Sequence, residues 1–355
     1  MRITHLHMQK IEPRLATPIK LAYGTVSSVE SVIIRIDTES GTSGHGEAST
    51  IALVTGETPE TIMATLARFR TALIGQDALA RGRVHGLMDA MIRGNSAAKA
   101  AVDIALYDIL GKSLEQPLHR LLGAAETSFA TDVMLSIDAP DAMAEEARFR
   151  CAQGFTALKV KAGRDVPADI EAARKIREAV GPEVVLRIDA NQGWTIAETL
   201  KVARELQSHD IRGIEQPVPF WDVEGMARLR GRMGPIELIA DESLHSPQDA
   251  VRLVLATAAD LFSIKLAKAG GIYRALQINA VAEASGVSCM LGCMPETGIA
   301  TAAAAHLKAA QNNISVADLD AAVLVEEPRI EGGFAIDGDT ITLSGRPGLG
   351  VDVRI

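Results

Sequence analysis

The sequence predicts an α/β protein in which a barrel of parallel βα units follows a smaller α+β domain. Three observations lead there. After Gly123, short β-rich runs alternate with helical segments on a regular beat, the mark of parallel βα units. Eight such runs suit a closed barrel, whereas an open doubly wound sheet would show fewer strands and a Gly-rich first turn. The 355 residues exceed one small core, so a barrel-sized domain of roughly 200 residues leaves room for a partner.

From Met1 to about Glu47 the pattern reads strand, loop, strand, strand. Alternation runs up to Ile11, then come Pro18–Thr25 and Ser31–Ile36, and Gly41-Thr42-Ser43-Gly44 closes a hairpin. Gly41, Gly44 and Gly46 have the wrong spacing for a dinucleotide fingerprint, and no helix opens there, so they read as turn residues. Helical periodicity from about Thr58 through Ile74, and from Ala97 to Leu110 before Gly111, completes an α+β domain over residues 1–125. Barrel strands are expected at Phe129–Ile137, Ala157–Lys161, Val184–Asp189, Ile211–Glu215, Ile236–Asp241, Leu261–Lys265, Val287–Leu291 and Ile314–Asp318, within residues 126–320. Ala-rich helices such as Ile272–Ala284 separate them. Residues 321–355 are too short for another domain and are expected to pack back on the first one.

The formal net charge of −9 argues against nucleic acid or an anionic membrane as partner and favours small molecules. Met1–Lys10 has no apolar signal core and no apolar run reaches membrane-span length, so a cytoplasmic protein is expected. Cys151, Cys289 and Cys293 are an odd count without metal spacing and read as reduced thiols. No HExxH and no P-loop occurs, and His5 and His7 alternate on a strand with a surface or packing role.

The chemistry collects at strand ends. Leu158-Lys159-Val160-Lys161 puts two ammonium groups on one strand face. Like charges so close lower each other's pKa, which lets a lysine take a proton from carbon near neutral pH. Blocking aggregation at a sheet edge is the other use of such a pattern. Asp189 in Arg187-Ile188-Asp189-Ala190-Asn191, Glu215 in Glu215-Gln216-Pro217, Asp241 in Asp241-Glu242-Ser243 and Lys265 follow at intervals of 26, 26 and 24 residues, one βα unit each. The C-terminal ends of barrel strands meet at one pocket. Three carboxylates there repel one another unless a hard cation sits among them, and an all-oxygen set with open positions suits Mg²⁺. Alone, Asp241 could equally cap the next helix. Ala317-Asp318-Leu319-Asp320 places two carboxylates on one side of the last strand, where they call for a cationic group, with loop solvation or helix capping as the alternative.

This constellation resembles the enolase superfamily, specifically its muconate-lactonizing subgroup, over nearly the whole chain. The resemblance implies a modified TIM barrel, (β/α)7β, with a capping domain built from both chain ends. It implies Mg²⁺ on Asp189, Glu215 and Asp241, with Lys161 and Lys265 facing the substrate α-carbon from opposite sides. Lys159 would hold the substrate carboxylate or depress the pKa of Lys161, and Lys268 would be peripheral. The late-strand histidine of the mandelate-racemase-like subgroup has no counterpart. Asp318 and Asp320 resemble the Asp-x-Asp with which dipeptide epimerases of the superfamily bind a dipeptide's α-ammonium. Gly292-Cys293-Met294-Pro295-Glu296-Thr297 and Val54-Thr55-Gly56-Glu57-Thr58 resemble their loops, and Glu296 is taken with the substrate-binding set. The capping loop Tyr23-Gly24-Thr25 is the matching place for side-chain contacts. Members acting on Ala-Glu carry an arginine where this chain has Gly24, and Lys20 matches a position common to the family, so acidic and neutral dipeptides both stay open. The expected function is a racemase or epimerase that moves a proton at the carbon α to a carboxylate, with a dipeptide as substrate. A homo-oligomer is expected on resemblance alone. N-acylamino-acid racemase, o-succinylbenzoate synthase and muconate-type cycloisomerase are alternatives on the same fold, and a catalytically silent Mg²⁺-binding scaffold is the non-enzymatic one.

Overall fold

The computed structural model describes residues 1–124 and 126–354. Strands Ile3–Ile11, Ser31–Thr38 and Ser43–Ser49 form an antiparallel sheet. Against it lies helix Ser96–Ser113, whose Ala-rich sequence is buried nearly all round, as a helix packed on every side must be. A Cβ on Gly46 would meet Ala101 O at 1.9 Å, and one on Gly44 would meet Ala105 O at 2.2 Å. Only Gly41, at φ 82°, serves the turn; Gly44 and Gly46 are there for the approach of helix to sheet. Glu57 caps the same helix, accepting from Ala97 N at 2.9 Å and Ala98 N at 3.1 Å.

Helix Pro59–Leu73 starts with a capping box between Thr58 and Thr61 and buries Ile62, Leu66, Phe69 and Leu73 on one face. Helix Arg81–Met91 was not expected. Gly82 and Gly86 weaken its propensity and only Val84, His85 and Met88 are buried, so no helical stripe stands out. The Pro18–Thr25 stretch forms a tight hairpin, Ile19–Leu21 against Gly24–Val26.

The barrel strands are β1 (Val133–Leu135), β2 (Ala157–Lys161), β3 (Val185–Asp189), β4 (Ile211–Glu215), β5 (Glu237–Ala240), β6 (Leu261–Lys265), β7 (Ser288–Gly292) and β8 (Ile314–Asp318). They pair in sequence order, all parallel. The edges meet where Asp132 N donates to Ala317 O at 3.2 Å and Leu319 N to Thr131 Oγ1 at 2.8 Å. Seven helices of seven residues or more follow β1 to β7, whereas β8 is followed only by Ala321–Leu324, which gives (β/α)7β. Local sequence sets their starts: Asp165 caps Val166–Val180 through Ala168 N, and Thr195 with Glu198 forms the capping box of Ile196–Glu205. The first expected strand, Phe129–Ile137, is split. Thr131 N and Asp132 N bond to Asp339 O and Ala317 O, so Ser128–Ala130 turns away and pairs with Thr340–Leu343.

The C-terminal segment divides between two neighbours. Val325–Glu326 pairs with Arg14–Leu15 beside the cap, while Ile341, Leu343, Leu349 and Val351 join the barrel's core. Among the described residues no helix is long and apolar enough to cross a membrane.

A buried histidine ties this tail to the barrel. His306 Nδ1 accepts from His119 N at 3.0 Å, so its proton sits on Nε2, 3.3 Å from Leu349 O. Burial pushes the His306 imidazole down to about 3. Between that value and the unfolded value near 6.5 the unfolded chain binds a proton that the folded chain does not, so stability rises with pH across the window. Acidification from pH 6.5 towards 4 should therefore cost this protein stability, with a slope of at most about 1.4 kcal/mol per pH unit from this residue. Urea unfolding of wild type and His306→Gln at several pH values checks it, since the variant should show a shallower fall.

Candidate active site

Lys159 and Lys161 alternate with Val160 on β2 and point into the barrel, as residues two apart on a strand must. Lys161 Nζ lies 2.6 Å from Asp189 Oδ2, across the β2–β3 pair. Lys159 Nζ stands 2.7 Å from Asp318 Oδ2, 3.0 Å from Glu215 Oε2 and 3.5 Å from Asp189 Oδ2, joining four strands at one point. Lys265 Nζ lies 2.8 Å from Asp241 Oδ2. β2 and β6 are four strands apart in a ring of eight, so Lys161 and Lys265 approach from opposite walls. Gly292 on β7 leaves the room: a Cβ there would come within 3.0 Å of Lys265 Cε and 3.1 Å of Asp318 Oδ2.

The expected mutual lowering of the lysine pKa values is reversed at Lys159. Burial pushes its ammonium towards neutrality, but Asp318, Glu215 and Asp189 together hold it well above the usual lysine range. Lys265 behaves alike, burial being outweighed by Asp241. Burial raises Glu215 to about 7, while Asp241, buried too, is held well below the usual range by Lys265 and Lys268.

Lys268, expected to be peripheral, is fully buried. Its ammonium donates to Asp241 Oδ1, to Asp241 O at 2.5 Å and to Ser263 O at 3.2 Å. It lies one helical turn beyond Lys265, on the short helix Leu266–Ala269, which turns it back beneath Asp241. Gln216 was not anticipated as part of the site. Its Oε1 accepts from Asp241 N at 3.0 Å and Ser243 N at 3.1 Å, locking the ends of β4 and β5 together. Asn191 was also missed, although it stands in the quoted run after Asp189; its Nδ2 reaches Glu242 Oε1 at 3.2 Å. Gln216 and Asn191 adopt φ of 34° and 40°, sparsely populated values that recur at functional sites. Burial, then Asp241, pushes the Glu242 carboxyl up to about 8.

Asp318 and Asp320 line the same cavity, which encloses ≈ 610 Å³ counting space open at its mouth. Asp320 Oδ2 accepts from Met134 N at 3.0 Å, and Cys293 Sγ lies 3.3 Å from Oδ1. Tyr23 reaches the cavity; Gly24 and Thr25 do not line it, because the hairpin turns them outward. Glu296 is not a lining residue either. It is buried behind Pro295, and burial with the nearby Glu47 drives its carboxyl well above the usual range. Glu47 holds that loop in place, accepting from Thr297 N at 2.9 Å, Thr297 Oγ1 at 2.6 Å and Ala300 N at 3.1 Å.

The donor set at the ends of β3, β4 and β5 is all carboxylate oxygen. Both oxygens of Glu215 are buried without a hydrogen bond, Lys159 Nζ lying off the bonding direction. Such a set fits a hard divalent cation. Among the described residues no three Asp, Glu, His or Cys side chains already close into a ligand cluster; lysine ammoniums stand against Asp189, Glu215 and Asp241.

Known proteins share this fold and much of this sequence. Residues 3–123 match the family "Mandelate racemase / muconate lactonizing enzyme, N-terminal domain", and residues 142–354 match "Enolase C-terminal domain-like". The hydrophobic dipeptide epimerase of Enterococcus faecalis is 40% identical over 99% of both chains. The structure of the dipeptide epimerase from that organism with Mg and the dipeptide L-Leu-L-Tyr superposes with a TM-score of 0.97, covering 99% of this chain and 100% of that one. The substrate-liganded L-Ala-D/L-Glu epimerase of Bacillus subtilis has the same TM-score at 37% identity, covering 100% of each chain. The N-succinyl Arg/Lys racemase of Bacillus cereus also reaches 0.97, at 35% identity over 100% of this chain and 96% of that one. With both parts of the fold matched and the strand-end carboxylates and lysines in phase, the chain belongs to the mandelate racemase/muconate lactonizing enzyme family of the enolase superfamily.

Proposed function

We propose that this chain is a Mg²⁺-dependent dipeptide epimerase, inverting the α-carbon next to the C-terminal carboxylate. The observation that carries the reading is the placement of Lys161 and Lys265 on opposite walls, with Asp318 and Asp320 between them along the ring. Asp189, Glu215 and Asp241 would hold the ion. When bound, it supplies charge stabilisation to the substrate carboxylate as the α-proton leaves. One lysine, neutral, takes that proton, and the other, as ammonium, returns one to the opposite face, which inverts the centre. Asp241 holds the Lys265 ammonium above the usual lysine range and so protonated, which means Lys265 takes a proton only once the charge of Asp241 is otherwise engaged. Lys159 stays charged beside Asp318 and orients the substrate carboxylate. The capping domain, with Val325–Glu326 paired to its Arg14–Leu15, closes over the mouth of the barrel and shuts water out. A cytoplasmic homo-oligomer belongs to the same proposal, on family likeness.

The amine site tests the reading against the N-acylamino-acid alternative. An ammonium beside two carboxylates gains charge-assisted hydrogen bonds worth about 1.5–3 kcal/mol each, while an acylated nitrogen gains none. Asp318→Asn or Asp320→Asn should lower kcat/KM for a free dipeptide by about one to two orders of magnitude and leave the poor turnover of N-acetylated substrate little changed. A wild type that prefers an N-acyl amino acid to every free dipeptide contradicts the proposal.

A further inference from the structure

We infer that the substrates of this chain are dipeptides with apolar side chains, selected by a cavity wall that offers no free charge, and that Arg164 sets that wall by clamping the capping hairpin. The inference rests on the epimerase reading and concerns what lies around the reaction centre. The charged residues lining the cavity are the bases Lys161 and Lys265, Lys159, Asp241, the amine-site pair Asp318 and Asp320, and Glu242, whose Oε1 accepts from Asn191 Nδ2 at 3.2 Å. The remaining wall is uncharged. Leu21, Ile51, Val54 and Met294 cover the lysines from the capping side. Met134, whose N–H holds Asp320, and Leu324, one turn beyond it, stand beside the amine site, so a dipeptide's first side chain meets them.

The cations near the mouth are engaged elsewhere. Lys20 sits on the hairpin, but its Nζ pairs with Asp138 Oδ2 at 2.5 Å, away from the cavity lining. Arg164, three residues beyond Lys161, donates from Nε to Leu21 O at 2.8 Å and from Nη2 to Gly24 O at 2.9 Å. Its guanidinium is used on backbone carbonyls, and it fixes how Leu21 and Tyr23 project into the cavity. A glutamate side chain against this apolar wall would lose its hydration and find no counter-charge there, and a lysine side chain would find none short of Glu242 and the amine site. Burying either charge unpaired is unfavourable, while an apolar side chain gains from burial.

The test is deuterium uptake at the α-carbon in heavy water with Mg²⁺, over Ala-Xaa and Xaa-Ala dipeptides in which Xaa is Leu, Met, Tyr, Glu or Lys. Leu, Met and Tyr are expected to exceed Glu and Lys in kcat/KM by about a hundredfold or more. A Glu or Lys dipeptide that matches the best apolar one overturns the inference and leaves epimerisation standing. Exchange confined to N-acylated amino acids overturns the epimerase reading itself. Val54→Lys, on a half-buried cap position, should raise the Glu-to-Leu ratio about tenfold, and an unchanged ratio would show that this wall does not meet the side chain. Arg164→Ala should raise KM for Ala-Leu several-fold more than it lowers kcat, because the hairpin loses its clamp and not its chemistry; equal KM in both proteins would remove Arg164 from the account.

Discussion

Asp189→Asn, Glu215→Gln and Asp241→Asn should each lower kcat by about three orders of magnitude or more, and exhaustive chelation of wild type should do the same until Mg²⁺ is restored. The size follows from the chemistry: stabilising a second negative charge beside a carboxylate takes several kcal/mol, and each 1.36 kcal/mol is a factor of ten. The three changes differ in what else they touch. Asp189 and Asp241 also hold Lys161, Lys265 and Lys268, so their loss loosens the bases as well. Glu215 touches neither base but lies 3.0 Å from Lys159, so Glu215→Gln leaves Lys161 and Lys265 held while removing one of the charges that keep Lys159 protonated. Calorimetric titration with Mg²⁺ separates the effects, since all three variants should bind it more weakly. Full activity after chelation would end the metal assignment.

Lys161→Ala and Lys265→Ala should each stop net epimerisation, a loss of about 10²–10⁴ in rate, yet each should still exchange the α-proton of one epimer. The barrel is the reason. With β2 and β6 on opposite walls, neither lysine reaches both faces of one carbon, so removing one base leaves the other in place for its own face. The variants should be complementary, one exchanging the L,L form and the other the L,D form. A single variant that exchanged both at the wild-type rate would refute the two-base assignment.

The barrel and the ring of charges were legible because strand phase and active-site position are the same signal. A run of β-rich residues that ends on Asp, Glu or Lys every 24 to 26 residues places those side chains at one end of one barrel. The capping hairpin was harder. Tyr23-Gly24-Thr25 was placed at the site as one loop by resemblance, and only the hairpin pairing, with the bonds from Arg164, shows Tyr23 lining the cavity and Gly24 and Thr25 away from it. Lys268 escaped because the four-residue helix after β6 reverses the expected direction of its side chain. Glu296 was misplaced for a related reason: its loop is held by Glu47, 249 residues away in the chain, and no local pattern shows such a partner. Asn191 and Gln216 left a faint trace as polar residues two positions and one position after metal-type carboxylates, but their left-handed backbone is visible only in the structure.

The most direct measurement is the position and stereochemistry of deuterium in product formed by wild type from one pure epimer of a free apolar dipeptide in heavy water. Epimerisation by two lysines predicts that the opposite epimer appears with one deuterium, on the α-carbon of the C-terminal residue, and that this requires Mg²⁺. Product of inverted configuration without deuterium from solvent, deuterium on the N-terminal residue, or no exchange while an N-acyl amino acid is turned over would each contradict it.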